Sequence, residues 1–148
     1  MHKYEIKFYA VEEDLEKTAC GVIEKCYQSG VRTLVICENE SIQEIMNKML
    51  WTFKQKSFIP HGSINEERAH EQQILITHQQ ENLNNANLLV LIGAASIDIS
   101  NFTRIFVVYN ELSDTHKSNI KNLKDAASLL DSKILSYKKR NDGTWEAS

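Results

Sequence analysis

Three groups of side chains in this sequence could do chemistry. Lys117, Lys121 and Lys124 follow one another at i, i+4 and i+7. A helix would set their three ammonium groups on one face, as an anion requires, with Ile120 and Leu123 beside them. A solvated helix face has the same pattern, and Asp114 and Asp125 are close enough to offset it. The second group is Leu50-Trp51-Thr52-Phe53 followed by Phe58-Ile59-Pro60-His61. Trp51 stands about 100° round a helix from Leu50. Two large rings beside a rigid proline suit a protein–protein anchor; the alternative is that the rings cap the core. The third group is His61, His70 and His78 near Glu66, Glu67 and Glu71. Their spacings match no compact zinc pattern, and no Cys-x-x-Cys exists.

Other chemistries lack their residues. A phosphate loop needs clustered glycines so that backbone N–H groups can approach the anion. Here Gly21, Gly30, Gly62, Gly93 and Gly143 stand far apart. Neither G-x-G-x-x-G nor G-x-x-x-x-G-K-[ST] occurs. The first strand ends in Val11-Glu12-Glu13-Asp14, whose carboxylates would repel a phosphate. Ser96 and Ser100 follow Gly93-Ala94-Ala95 without a G-x-S-x-G elbow. Cys37 precedes Glu38, and a neighbouring carboxylate raises a thiol pKa rather than lowering it. No catalytic, cofactor-binding or metal-binding residue is expected.

The elements that must position these residues follow from periodicity. Tyr4, Ile6, Phe8 and Ala10 alternate, as in a strand. Leu15, Ala19, Val22, Ile23 and Cys26 make an apolar helix stripe with acids at its start and Gly30 after its end. Val31–Cys37 reads as a second strand. Ser41-x-x-Glu44 reads as a capping box opening a helix whose stripe is Ile42, Ile45, Met46, Met49, Leu50 and Phe53. Residues 54–73 are polar and irregular. Ile74–Thr77, Leu88–Ile92 and Arg104–Tyr109 read as strands. Residues 114–130 read as a helix, and Ile134–Lys138 with Gly143-Thr144-Trp145 as a terminal strand or hairpin. This alternation predicts one α/β layered domain over residues 1–148, with a largely parallel sheet crossed right-handedly.

Composition agrees with a single domain. The chain has 148 residues, 42% hydrophobic and 25% charged, without a Gly/Ser/Pro-rich linker or an internal repeat. Its 17 basic and 20 acidic side chains leave a net charge of -3. Such a balance disfavours non-specific duplex binding by the whole surface, so little direct DNA binding is expected. Three cysteines, Cys20, Cys26 and Cys37, read as reduced core thiols. With neither a signal peptide nor a long apolar run, a cytoplasmic location is expected.

The sequence resembles the chi subunit family of bacterial DNA polymerase III over most of its length. Leu50-Trp51 with Phe58-Ile59-Pro60-His61 is the most specific part. Phe8-Tyr9, Ala19-Cys20 and Glu24-Lys25-x-Tyr27-x-x-Gly30-x-Arg32 also fit. So do Gln73-Ile74-Leu75-Ile76 with Asn84, Asn85 and Asn87, and Tyr137 with Gly143-Thr144-Trp145-Glu146. The resemblance implies a three-layer, Rossmann-like fold without a nucleotide site, and an accessory subunit without catalysis of its own. It implies two partners. Trp51, Phe58, Pro60 and His61 match the surface where the psi subunit, or in some bacteria a helicase, docks. Lys117 and Lys121, with Lys124 and Ile120, match the site receiving the acidic C-terminal tail of single-stranded DNA-binding protein (SSB), which ends in Phe and its carboxylate. Ile120 stands where the family usually has an aromatic, and would wall the slot for that Phe. The family often has Arg where this helix has Lys, which keeps the charge and loses the bidentate fork. The family also tends to have a glycine turn soon after Lys124; this chain has none until Gly143. Two other classes stand beside this reading: a small α/β enzyme or a nucleotide- or metal-binding regulator, and a generic interaction domain unrelated to replication.

Overall fold

The computed structural model describes residues 2–52, 62–63 and 72–148. Its strands are β1 (Tyr4–Val11), β2 (Thr33–Cys37), β3 (Gly62–Ser63), β4 (Ile74–Thr77), β5 (Leu88–Ile92), β6 (Arg104–Asn110), β7 (Ser132–Lys139) and β8 (Trp145–Ala147). The helices are α1 (Leu15–Gln28), α2 (Glu40–Thr52) and α3 (Asp114–Ser128), with a short 3-10 turn at Ile99–Asn101. Among the described residues these strands form one sheet in the order β3-β4-β2-β5-β6-β1-β7-β8. Every pairing is parallel except β7–β8, the expected terminal hairpin.

The sheet has a helix layer on each face, because its strands are apolar on both sides. β2, β4 and β5 are buried along their whole length. Val35, Cys37, Ile74, Ile76, Val90, Ile92 and Val108 pack with α1 and α2. Their neighbours Leu34, Ile36, Leu75, Leu89, Leu91 and Val107 pack on the opposite face with Ile120, Leu123 and Ala127 of α3. The turn at Ile99 and the loop residues Ala86, Ala95 and Phe102 complete that second layer. This is the expected α/β three-layer arrangement with a largely parallel sheet. The expected α1 stripe of Leu15, Ala19, Val22, Ile23 and Cys26 is buried as a unit. Among the described residues no helix is long and apolar enough to cross a membrane.

Helix α2 departs from its expected stripe. It begins at Glu40, and the Ile42 N–H donates to the Asn39 side chain at 3.0 Å, so Asn39 caps it instead of the Ser41–Glu44 box. Gln43, Met46 and Leu50 face inward, while Ile45 is 42% exposed. A buried amide at position 43 is tolerable because His78 Nδ1 lies 2.6 Å from its oxygen.

Several residues that carry the family resemblance serve this architecture. The Arg32 guanidinium donates to the Asn84 carbonyl at 3.1 Å. The buried Asn84 amide donates to the Thr33 and Gln72 carbonyls, which ties the starts of β2 and β4 together. Gly30 leaves α1 at φ +74°, a left-handed turn that favours glycine.

Candidate functional site

Helix α3 is held rigidly at its N-terminus. The Ser113 hydroxyl accepts from the His116 N–H at 3.2 Å and caps the first turn. The His116 ring then ties the helix to the C-terminal edge of the sheet. Its Nδ1 accepts from the Asn110 backbone N–H at 3.1 Å, so that nitrogen carries no proton. The ring's proton is therefore on Nε2, which donates to Glu38 Oε1 at 3.0 Å. Gly93 passes beside this pair at φ +72°, where a Cβ would come within 2.5 Å of Glu38 Oε1 and 3.1 Å of His116 Nε2. The ends of β2, β5 and β6 are thus joined to the start of α3. The sequence reading missed this junction, because Glu38, Gly93 and His116 are separated by tens of residues and match no motif.

The anchored helix buries His116, Ile120, Leu123 and Ala127. Lys117, Lys121 and Lys124 each follow one of these residues, so they stand about 100° round from the buried stripe. They form a rim along one side of the helix, not its outermost face. Lys117 is exposed and lies 3.5 Å from Asp114 Oδ1. Lys121 is exposed. Lys124 is half-buried, with its ammonium 5.2 Å from the centroid of the Phe8 ring on β1.

Ile120, expected to wall an apolar slot, is only 4% exposed and belongs to the core. Its helix register explains this, since it lies midway along the buried stripe. The strand register offers a different apolar side chain. Ile134 pairs with Ile6, and Ser136 with Phe8, so both share the face that α3 covers. Ile134 is 38% exposed there, toward the edge of the sheet.

Trp51 is the penultimate residue of α2 and is 51% exposed, whereas Leu50 beside it is fully buried. Phe53, Phe58, Pro60 and His61 lie outside the described residues, as do His70, Glu66, Glu67 and Glu71. The three thiols are free and buried. Burial pushes each of Cys20, Cys26 and Cys37 up to about 12, far from a nucleophilic thiolate.

The family model for the DNA polymerase III chi subunit, HolC, matches residues 4–126. A protein of Rickettsia prowazekii (strain Madrid E) named as a probable DNA polymerase III subunit chi is 32% identical over 146 residues. That alignment covers 93% of this chain and 87% of the relative. The match runs from β1 into the lysine-bearing helix, so it takes in Trp51, Lys117, Lys121 and Lys124 and ends before Ile134. The chain belongs to the DNA polymerase III chi subunit family and is a component of DNA replication.

Proposed function

We propose that this chain is a non-catalytic adaptor of the replisome that holds the acidic C-terminal tail of SSB and links it to the clamp loader. The observation that carries the reading is the lysine rim of α3. Three cations follow one edge of a helix that is fixed at its N-terminus by His116 and Glu38. An acidic peptide is recognised by cations at fixed spacing, and fixed positions lower the entropy lost on binding. The slot for the tail's terminal Phe lies between this rim and the exposed Ile134 of β7, replacing the Ile120 wall expected from sequence. The second partner, psi or an equivalent clamp-loader or helicase protein, takes the surface around Trp51, to which Phe58, Pro60 and His61 are assigned by resemblance. Tryptophan is a frequent anchor of such interfaces.

The test is a fluorescence anisotropy titration with a labelled SSB tail peptide and a second peptide lacking the terminal Phe. Saturable binding is expected that requires the Phe and weakens as salt rises. Replacing both Lys117 and Lys121 by Ala should weaken it by roughly tenfold, as expected for losing two charge-assisted contacts. Equal binding of the two peptides, or a double variant as tight as wild type, would refute the tail assignment.

A further inference from the structure

The opposite face of the same sheet edge carries a basic groove that the lysine rim does not explain. Helix α1 lies over β5 and β6. Its outer side faces β1, β7 and β8, where the Lys139 ammonium donates to the Thr18 hydroxyl at 3.3 Å. Two adjoining cavities of about 150 and 270 Å³ run along α1 there, sharing Tyr9, Val22 and Lys25. Their walls bring together Lys7, Lys17, Lys25, Arg104 and Lys139. The one acid in either lining is Asp14. Lys7 lies 3.6 Å from Glu5. Among the described residues, Lys17, Lys25, Arg104 and Lys139 have no carboxylate within ion-pair distance. Four unmatched cations along one groove are unexpected in a chain of net charge -3. They make a local positive field that attracts an anion.

Between the cations lies a row of aromatic rings. Tyr9 is stacked on Tyr137 at 5.5 Å and meets Trp145 edge-on at 5.2 Å and Phe106 at 6.3 Å. The Lys7 ammonium and the Arg104 guanidinium sit over the Phe106 ring at 5.6 and 5.3 Å, and the Lys139 ammonium over Trp145 at 5.9 Å. The rings follow one another across β6, β1, β7 and β8; Phe106 is buried in the core, so the half-buried Tyr9, Tyr137 and Trp145 are the rings that face the groove.

We propose that this groove binds a short stretch of single-stranded nucleic acid. A single strand presents a phosphate and a flat base at every nucleotide, so cations interleaved with half-exposed rings suit it. An acidic peptide would satisfy the cations but leave most of the rings unused. The contact is short because in the hollow at the Gly143 end the carboxylates of Glu12, Glu13, Asp14 and Asp142 outnumber the cations Lys139 and Arg140 and repel further phosphates. The strand therefore enters from the Arg104 end. For a polymerase III subunit this adds a direct nucleic-acid contact to its protein contacts, and it stands independently of the SSB-tail reading.

The experiment is an anisotropy titration of the full chain with a labelled oligothymidylate of about fifteen nucleotides at low and moderate salt. Wild type should bind, and Lys25→Gln with Arg104→Gln should weaken binding by roughly tenfold and flatten the salt slope by about 1.4, at ~0.7 per phosphate contact. Gly21→Glu is a second, independent variant. A Cβ at Gly21 meets nothing within 4 Å, so this change puts an anion into the groove without removing a contact. It should weaken binding similarly, whereas Lys117→Ala with Lys121→Ala should leave it unchanged. In a Trp51→Phe background the oligonucleotide should quench the emission of Trp145. Failure of wild type to bind would overturn the proposal, as would groove variants that bind normally. Displacement of the strand by an equimolar acidic peptide would assign the groove to a protein partner and overturn it equally.

Discussion

Gly93, Ile120 and the three lysines show how little separates a functional position from a structural one. Lys121 and Ile120 are adjacent, yet one is exposed and the other lies in the core. Ile120→Ala should therefore cost about 2–5 kcal/mol of stability, the usual range for emptying a buried aliphatic site. Lys121→Ala should change stability by less than about 0.5 kcal/mol. Urea unfolding of the two variants checks both figures. Comparable costs would mean that α3 is turned differently on the sheet. Gly93→Ala tests the junction that fixes the helix. The added methyl must take a positive φ and displace the Glu38 carboxylate, which His116 holds at 3.0 Å. A loss of about 1–3 kcal/mol is expected, typical of an imposed strained backbone.

At the scale of elements, the periodicity in the sequence identified β1, α1, the buried strands and the terminal hairpin, because each has apolar spacing of its own. The register of α2 was not legible. Ile45 looks like a core residue by spacing, but the helix turns Gln43 inward because His78, 35 residues away, supplies its partner. The position of Ile120 was hidden for a related reason. A stripe at i, i+4 and i+7 can be drawn through the lysines or through the residues just before them, and burial by the sheet decides between the two. The groove along α1 was invisible in sequence because its cations come from β1, α1, β6 and β7 and meet only in the folded sheet. One consequence for α1 can be measured by itself. Gly21 sits inside the helix with open space where a Cβ would be. Gly21→Ala should raise stability by about 1 kcal/mol through helix propensity alone. A melting temperature at or below that of wild type would show that the groove wall is tighter than described.

For the whole molecule, the buried thiols set an alkaline limit. Burial raises Cys20, Cys26 and Cys37 to about 12, from an ordinary value of 9.0. Tyr9 is likewise raised from 10.0 to about 12 by burial first and by the neighbouring Tyr137 second. An acid with a raised native pKa keeps its proton while the unfolded chain releases it, so native stability falls over the interval between the two values. The contribution is complete below about pH 9 and is lost as pH rises toward 12. Melting temperatures measured from neutrality to alkaline pH should stay level up to about pH 9 and then fall steeply. A curve flat across the whole range would contradict the burial of these groups.

We propose different ligands for the two faces of the β1–β7 edge, the SSB tail beside α3 and a nucleic-acid strand beside α1. Amide chemical-shift mapping with the SSB tail peptide on the isotope-labelled chain distinguishes them most directly. Shifts are expected only at Lys117–Lys124 and the Ile134 segment of β7, with the amides of Lys25 and Arg104 unmoved. Shifts gathered along α1, or none at saturating peptide, would contradict this assignment.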